Sequence, residues 1–180
     1  MTTDTKIAVT VLAACLVVSA AIVPSYIIGA RERAREASTE ARAWDVIAIL
    51  EGDHGFRVLQ SAWPEAPYDM VRIADELQLD YRLLPIIARA EGGVSSRTMV
   101  AARNPFGLSR HNEELMIFDS FEQATRKAGR TVLRLNGRGP VNIKRLAGRW
   151  CSDSLTWAAN VTSILDKANR RASGWQRKRE

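Results

Sequence analysis

The chain has 180 residues, of which 46% are hydrophobic and 26% charged, a composition that excludes collagen-like, wholly disordered and multi-pass membrane proteins. Two cysteines and two histidines exclude a disulfide scaffold and a zinc-finger array. Residues 31–125 carry 11 Lys/Arg and 16 Asp/Glu, whereas residues 126–180 carry 14 and 3, so the last third is predicted to be strongly basic.

An uncharged segment follows a short N-terminal tail, residues 1–6. Residues 7–30 contain no charged side chain, and 24 residues at about 1.5 Å each can span a hydrocarbon core of roughly 30 Å. A cleaved signal peptide has an apolar core of only about 7–15 residues and a basic front, which this tail lacks. The sequence therefore predicts a retained single transmembrane helix, with a cleaved signal peptide as the alternative.

The charges beside this span predict on which side of the membrane the C-terminal domain lies. Arg31, Arg33 and Arg35 follow the span, whereas only Lys6 precedes it. The positive-inside rule would place the C-terminal domain in the cytoplasm. The Ala, Ser and Thr residues of the span resemble the weakly hydrophobic anchors of some phage lysis enzymes, which leave the membrane and thereby activate the enzyme.

Helical periodicity dominates the rest of the chain, which predicts a mainly α fold with at most one small β-hairpin. Residues 31–50 predict a charged helical stalk that becomes apolar from Trp44 onward, residues 51–168 a helical domain, and residues 169–180 a frayed basic tail. A loop is expected at Pro64 and Pro67, followed by helices from Tyr68 to Gly92–Gly93 with a break near Leu79–Asp80. A hairpin or irregular excursion is expected over residues 108–121. Further helices are expected at Phe121–Leu135, at Val141–Trp150 and from Asp153 or Ser154 to Leu165.

Glu91 is the candidate general acid. It shares a helix face with Leu84 and Ile87, and it lies in the last helical turn before two glycines. An apolar face and a negative helix end both disfavour the carboxylate, so the pKa of Glu91 is predicted to be raised. A glycosidase needs such a protonated acid to protonate a leaving oxygen. The two glycines lack side chains and are predicted to let a polymeric substrate approach closely. The alternative to a general acid is a solvated glutamate near a helix end.

Short motifs follow Glu91 in a recognisable order. Glu91-Gly92-Gly93 precedes Ser95-Ser96, Asn104-Pro105-Phe106-Gly107, FDSFEQA and finally RWCSDSLTWAANVTSIL. Over roughly residues 68–166, this order resembles the glucosaminidase-type peptidoglycan hydrolases of the lysozyme-like superfamily. Gly92 replaces the usual Ser of that family, Pro105 replaces its second Asn, and the Gly-Leu-Met-Gln run of soluble lytic transglycosylases is absent.

The resemblance implies a lysozyme-like helical fold and a membrane-anchored enzyme that cleaves the β-1,4 glycan backbone of peptidoglycan. Glu91 would be the general acid, assisted by Glu113 or Glu114. Substrate contacts are expected at Ser96, Asn104, Phe106, Gly107, Trp150 and Trp157. The alternatives are turn shaping by Asn104, core packing by the tryptophans and a solvated hairpin tip at the two glutamates.

The expected partners are peptidoglycan and a lipid bilayer around residues 7–30. No cofactor or metal is expected, because His54 and His111 lack ligand spacing. The basic third is expected to attract anionic wall polymers or lipid headgroups rather than nucleic acid, for which no fold motif is present. The expected location is a membrane with the domain facing the cell wall, which conflicts with the positive-inside count, or a virion membrane. A lytic transglycosylase and a structural protein that keeps the fold as a wall-binding module are the alternatives.

Overall fold

The computed structural model describes residues 32–51, 56–110, 114–137, 139–151 and 153–177, with side chains as far as residue 170. Within this part the chain forms eight α-helices and no strand, which confirms the mainly α class. Thr39–Glu180 form one compact unit, and the residues before Thr39 form another. The helices are α1 (32–50), α2 (Phe56–Ala62), α3 (Ala66–Glu76), α4 (Leu83–Ala90), α5 (Arg97–Ala101), α6 (Phe121–Asn136), α7 (Ile143–Trp150) and α8 (Ser154–Arg177).

The predicted membrane anchor lies outside the described residues. Where the structure describes the chain, no helix combines the length and the apolar character needed to cross a bilayer. The anchor at residues 7–30 therefore stays a prediction.

Helix α1 differs from the sequence expectation in the face that it buries. Trp44 was expected to begin the apolar face, but it is 61% exposed. The buried positions are Ala43, Val46, Ile49 and Leu50, which recur at the three- and four-residue spacing of one helix face. Trp44 lies off that face, so its apolar ring is not part of the core.

Two short helices and the extent of a third were missed by the sequence analysis. Helices α2 and α5 have seven and five residues, too few for a period of 3.6 to be visible. Pro67 lies in the first turn of α3 rather than in a loop, a position that proline tolerates well. Helix α8 continues to Arg177, so the tail that was expected to be frayed is helical to that point.

Helix α4 forms the centre of the core. Its residues from Leu83 to Ala88 are all buried, and Leu84 and Ile87 are completely inaccessible. Helix α8 packs against α4 and α7, and α6 packs against α3. Asp153 caps α8 by accepting a hydrogen bond from the Thr156 backbone N–H at 3.4 Å, as one of the two predicted caps. The short break between α7 and α8 places Trp150 and Trp157 at the carboxyl end of α4.

The excursion between α5 and α6 contains only an isolated antiparallel bridge, between Ser109 and Leu115, in its described residues. The Met116 N–H donates to the Leu108 carbonyl at 2.9 Å, which brings the two arms together. The prediction of at most one small hairpin is confirmed, because the described residues contain a single isolated bridge and no strand.

Candidate active site

Glu91 is the C-cap residue of α4, where the helix leaves the core. Its backbone N–H still donates to Ile87 at 2.9 Å, and the Gly93 N–H donates to Ala88 at 2.9 Å. Gly92 makes this ending possible, because its φ of +70° lies in the left-handed region that favours glycine. The predicted helix end is therefore confirmed, and it fixes the carboxylate at the edge of the core.

Two tryptophans hold the Glu91 carboxylate from one side. The Trp150 indole N–H donates to Glu91 Oε1 at 2.8 Å, and the Trp157 indole N–H donates to the same oxygen at 2.6 Å. The two indole rings lie 6.0 Å apart between centroids. Trp157 is buried and Trp150 half-buried. Trp157 therefore packs in the core, the alternative to sugar stacking, and Trp150 packs against the core; both bind the candidate acid.

The pKa of Glu91 is raised, and the cause is burial. Removing the carboxylate from water disfavours its charged form. The two indole N–H groups oppose this effect, because a donated hydrogen bond stabilises the charged form, but burial outweighs them. Among the described residues, no other ionised group contributes to the shift. The direction agrees with the sequence expectation.

Gly107 exposes the other carboxylate oxygen of Glu91. A Cβ built on Gly107 would lie 3.2 Å from Glu91 Oε2 and 2.9 Å from the Met99 methyl group, so any side chain would crowd this oxygen. The φ of Gly107, +61°, also disfavours other residues. Within the described part of the chain, Oε2 accepts no hydrogen bond. Since Oε1 receives two N–H donors, the proton of the neutral acid resides on Oε2.

Asn104 shapes the loop that carries Gly107. Its side-chain amide donates to the Leu108 and Met116 carbonyls at 2.8 and 2.9 Å, and its oxygen accepts from the Leu108 N–H at 3.1 Å. The residue is completely buried. All three interactions are internal, which matches the turn-shaping alternative and not a contact with an N-acetyl group.

Gly93, the second glycine after Glu91, serves the fold and not a close approach of substrate. A Cβ on Gly93 would lie 1.7 Å from the Pro105 carbonyl oxygen, so the loop occupies the space that was expected to receive a polymer. Gly92 has open space around it and is required for its positive φ. The contact of Gly93 with Pro105 sets the position of Gly107 two residues later.

The other candidate residues are less closely associated with the acid. Ser96 caps α5 by accepting from the Met99 N–H at 3.3 Å, and Phe106 is buried in the core. Glu114 is exposed on the excursion between α5 and α6, whereas Glu113 lies outside the described residues. The described residues contain no group of three or more His, Cys, Asp or Glu placed to hold a metal ion.

Comparison with known proteins adds nothing to this geometry. No protein family, no curated protein and no solved structure matches the chain. The function therefore rests on the arrangement around Glu91 and on the motif order of the sequence.

We expect Trp157→Phe to raise the pKa of Glu91 further. The phenyl ring keeps the carboxylate buried but removes an N–H donor that lowers the pKa. Trp63→Phe is the matched control, because the similarly buried Trp63 indole donates to Asp69 at 2.9 Å and not to Glu91. Each change should cost roughly 1–3 kcal/mol of stability. In a ¹³C NMR titration, the midpoint of the Glu91 carboxyl should move to higher pH in Trp157→Phe only. Equal titration curves in wild type and this variant would contradict the effect of the Trp157 hydrogen bond on the pKa.

Proposed function

We propose that this protein is a membrane-anchored peptidoglycan glycosidase of lysozyme-like fold, with Glu91 as its general acid. The observation that carries the proposal is the state of Glu91. Its carboxyl has a raised pKa, one oxygen is held by two indole N–H groups, and the other faces Gly107. The order of the motifs from Glu91 to Trp157 supports the choice of a glycan substrate. The anchor at residues 7–30 and a domain that faces the wall belong to the same proposal.

In this mechanism Oε2 gives its proton to the glycosidic oxygen while the bond to the anomeric carbon breaks. Positive charge develops on the sugar ring, as in an oxocarbenium ion. Glu91 becomes a carboxylate in the same step, and the N–H groups of Trp150 and Trp157 stabilise its new charge. The burial that favours the protonated form of the acid and the donors that stabilise its conjugate base thus act at different stages.

Hydrolysis also needs a group that activates water or stabilises the oxocarbenium-like ion. Glu113 and Glu114 are the candidates, since both lie on the excursion that follows the Gly107 loop. A lytic transglycosylase is the second candidate function, because it needs a single acid. It is favoured by one observation: the two indole N–H groups hold the carboxyl of Glu91, whereas Glu114, the described candidate for a second acid, is exposed on the excursion.

The released products distinguish these two reactions. We expect hydrolysis after N-acetylglucosamine, which leaves that sugar at a new reducing end that borohydride converts to its alcohol. A transglycosylase would cleave after N-acetylmuramic acid, because the hydroxymethyl group of that sugar would replace water and form a 1,6-anhydro ring. Mass spectrometry of the products, with and without borohydride, is the measurement. Anhydro products that resist borohydride would replace hydrolysis with the second candidate function.

Single variants of the excursion test the assisting carboxylate. If the enzyme hydrolyses, either Glu113→Gln or Glu114→Gln should lower the rate while the other leaves it unchanged. A transglycosylase would tolerate both changes. A protein that binds purified wall but releases no fragments would fit the wall-binding module and contradict both enzyme functions.

A further inference from the structure

A basic face runs along α6. Residues 123–152 carry eight Lys/Arg and no Asp/Glu. Lys127, Arg130 and Arg134 are exposed, and their spacing of three and four residues places them along one face of α6. No acidic residue lies three or four positions from Arg130 or Arg134 along the helix. The helix itself therefore offers these two arginines no counter-charge.

Helix α7 extends this face toward Glu91. Arg145 Nη1 donates to the Asn136 carbonyl at 3.1 Å, and Arg149 Nη1 donates to the Leu135 carbonyl at 2.9 Å. These bonds place both guanidinium groups over the last turn of α6, which also carries Arg134. Each group makes a single hydrogen bond to the described residues, so further N–H donors remain for a ligand. Arg149 directly precedes Trp150, which binds the Glu91 carboxylate.

The acidic residues Glu76 and Glu122 form ion pairs away from the basic face of α6. Glu76 and Glu122 form ion pairs with Arg126, at the amino-terminal half of the helix. Glu122 also pairs with Arg72. These ion pairs neutralise Arg126. Arg126 is therefore not counted in the basic face, although it is adjacent in sequence to Lys127.

We propose that Lys127, Arg130, Arg134, Arg145 and Arg149 form a binding surface for the peptide carboxylates of the glycan strand that enters the Glu91 site. This α6–α7 basic surface leads along the two helices to Trp150, and a linear polymer with anionic branches matches that arrangement. Guanidinium groups suit carboxylates because their donors match the two oxygens. The identity of the polymer rests on the proposed function.

A lipid headgroup layer is the less favoured occupant. The α6–α7 basic surface ends at Arg149, one residue before the indole that contacts Glu91, so a partner bound along it lies close to the candidate acid. A glycan strand held at Glu91 would bring its peptide carboxylates near this surface, and this proximity favours a partner that is also the substrate.

Binding is tested without cleavage, in the full-length chain with Glu91→Gln in a nonionic detergent. The probe is cell-wall sacculi freed of phosphate polymers, with chitin as a neutral glycan. Arg130→Glu/Arg134→Glu should lower the affinity for sacculi roughly tenfold at low salt and leave chitin binding unchanged. The difference should nearly vanish at about 1 M salt, where charges are screened within roughly 3 Å.

Arg57→Glu/Arg97→Glu is the matched control. Both residues are exposed, on α2 and α5, and the pair changes the net charge by the same amount. Equal losses in the two double variants, or no loss in either, would overturn the proposal. Displacement from sacculi by phosphatidylglycerol at an equal charge concentration, but not by phosphatidylcholine, would assign the surface to a membrane and also overturn it. If the Arg130→Glu/Arg134→Glu variant loses sacculi binding but the wild-type chain shows no wall-degrading activity, the proposed glycosidase function is refuted and the proposed binding surface is supported.

Discussion

Glu91→Gln should abolish cell-wall degradation, with a loss on the order of 10²–10⁴ in rate. The amide keeps the shape of the side chain, and its oxygen can still accept from the Trp150 and Trp157 indoles. The group that replaces Oε2 cannot give up a proton to the glycosidic oxygen. Clearing of a wall suspension by equal amounts of wild type and variant is the measurement. Glu51→Gln, a change at an exposed glutamate outside the site, is the control and should retain full activity.

Glu91→Gln should not lose stability, and its stability relative to wild type should increase with pH. The raised pKa of Glu91 means that the folded chain binds this proton more tightly than the unfolded chain. Wild type therefore loses stability as the pH rises from the ordinary pKa of a glutamate, about 4.3, through the raised value. Glutamine has no proton to lose, so the difference in melting temperature should increase over that range and then level off. An inactive variant that melts below wild type throughout would indicate misfolding and leave the catalytic role unsupported.

The sequence predicted the helix end at Glu91 and the raised pKa of its side chain because the relevant forces are local. The spacing of Leu84 and Ile87 sets the buried face, and Gly92–Gly93 ends the helix one turn later. Burial at a helix end raises the pKa of a carboxyl wherever that helix packs. One stretch of sequence was thus enough to predict the direction of the pKa shift of Glu91, whereas its choice as the candidate acid came from the order of the motifs that follow it.

The partners of Glu91 could not be predicted, because they depend on long-range packing. Trp150 and Trp157 lie 59 and 66 residues away in sequence, on two helices whose relative position comes from contacts between α4, α7 and α8. Their spacing predicts packing, but nothing in it shows where an indole N–H points. The two-sided arrangement of the carboxylate, with one oxygen bound and the other facing Gly107, appears only in the folded chain.

The role of Gly93 was misread for a related reason. Two glycines after an acid suggested room for a substrate, but the loop that fills the space begins eleven residues later, at Asn104. A glycine can be required by its backbone angle, as at Gly92, or by a neighbour in space, as at Gly93. Only the first requirement follows from helix termination.

Gly93→Ala should destabilise the protein by about 3 kcal/mol, the upper end of the usual cost of overpacking and a large share of the roughly 5–15 kcal/mol of a typical domain. The added methyl group would meet the Pro105 carbonyl oxygen at 1.7 Å, and backbone cannot relieve the overlap by changing a rotamer. The loop must move away from α4, and Gly107 moves with it. Activity should fall together with stability, because Oε2 loses the opening that Gly107 provides.

A series of glycine variants separates this contact from other effects of the methyl group. Gly148→Ala places its methyl in open space within α7 and should stabilise by about 0.5–1 kcal/mol. Gly92→Ala meets no neighbour but keeps a positive φ, so it should cost about 1–2 kcal/mol. Urea unfolding followed by circular dichroism gives the order Gly148→Ala, wild type, Gly92→Ala, Gly93→Ala from most to least stable. A Gly93→Ala protein as stable as Gly92→Ala would show that the loop does not rest on Gly93, and the position of Gly107 over Glu91 would then lack its support.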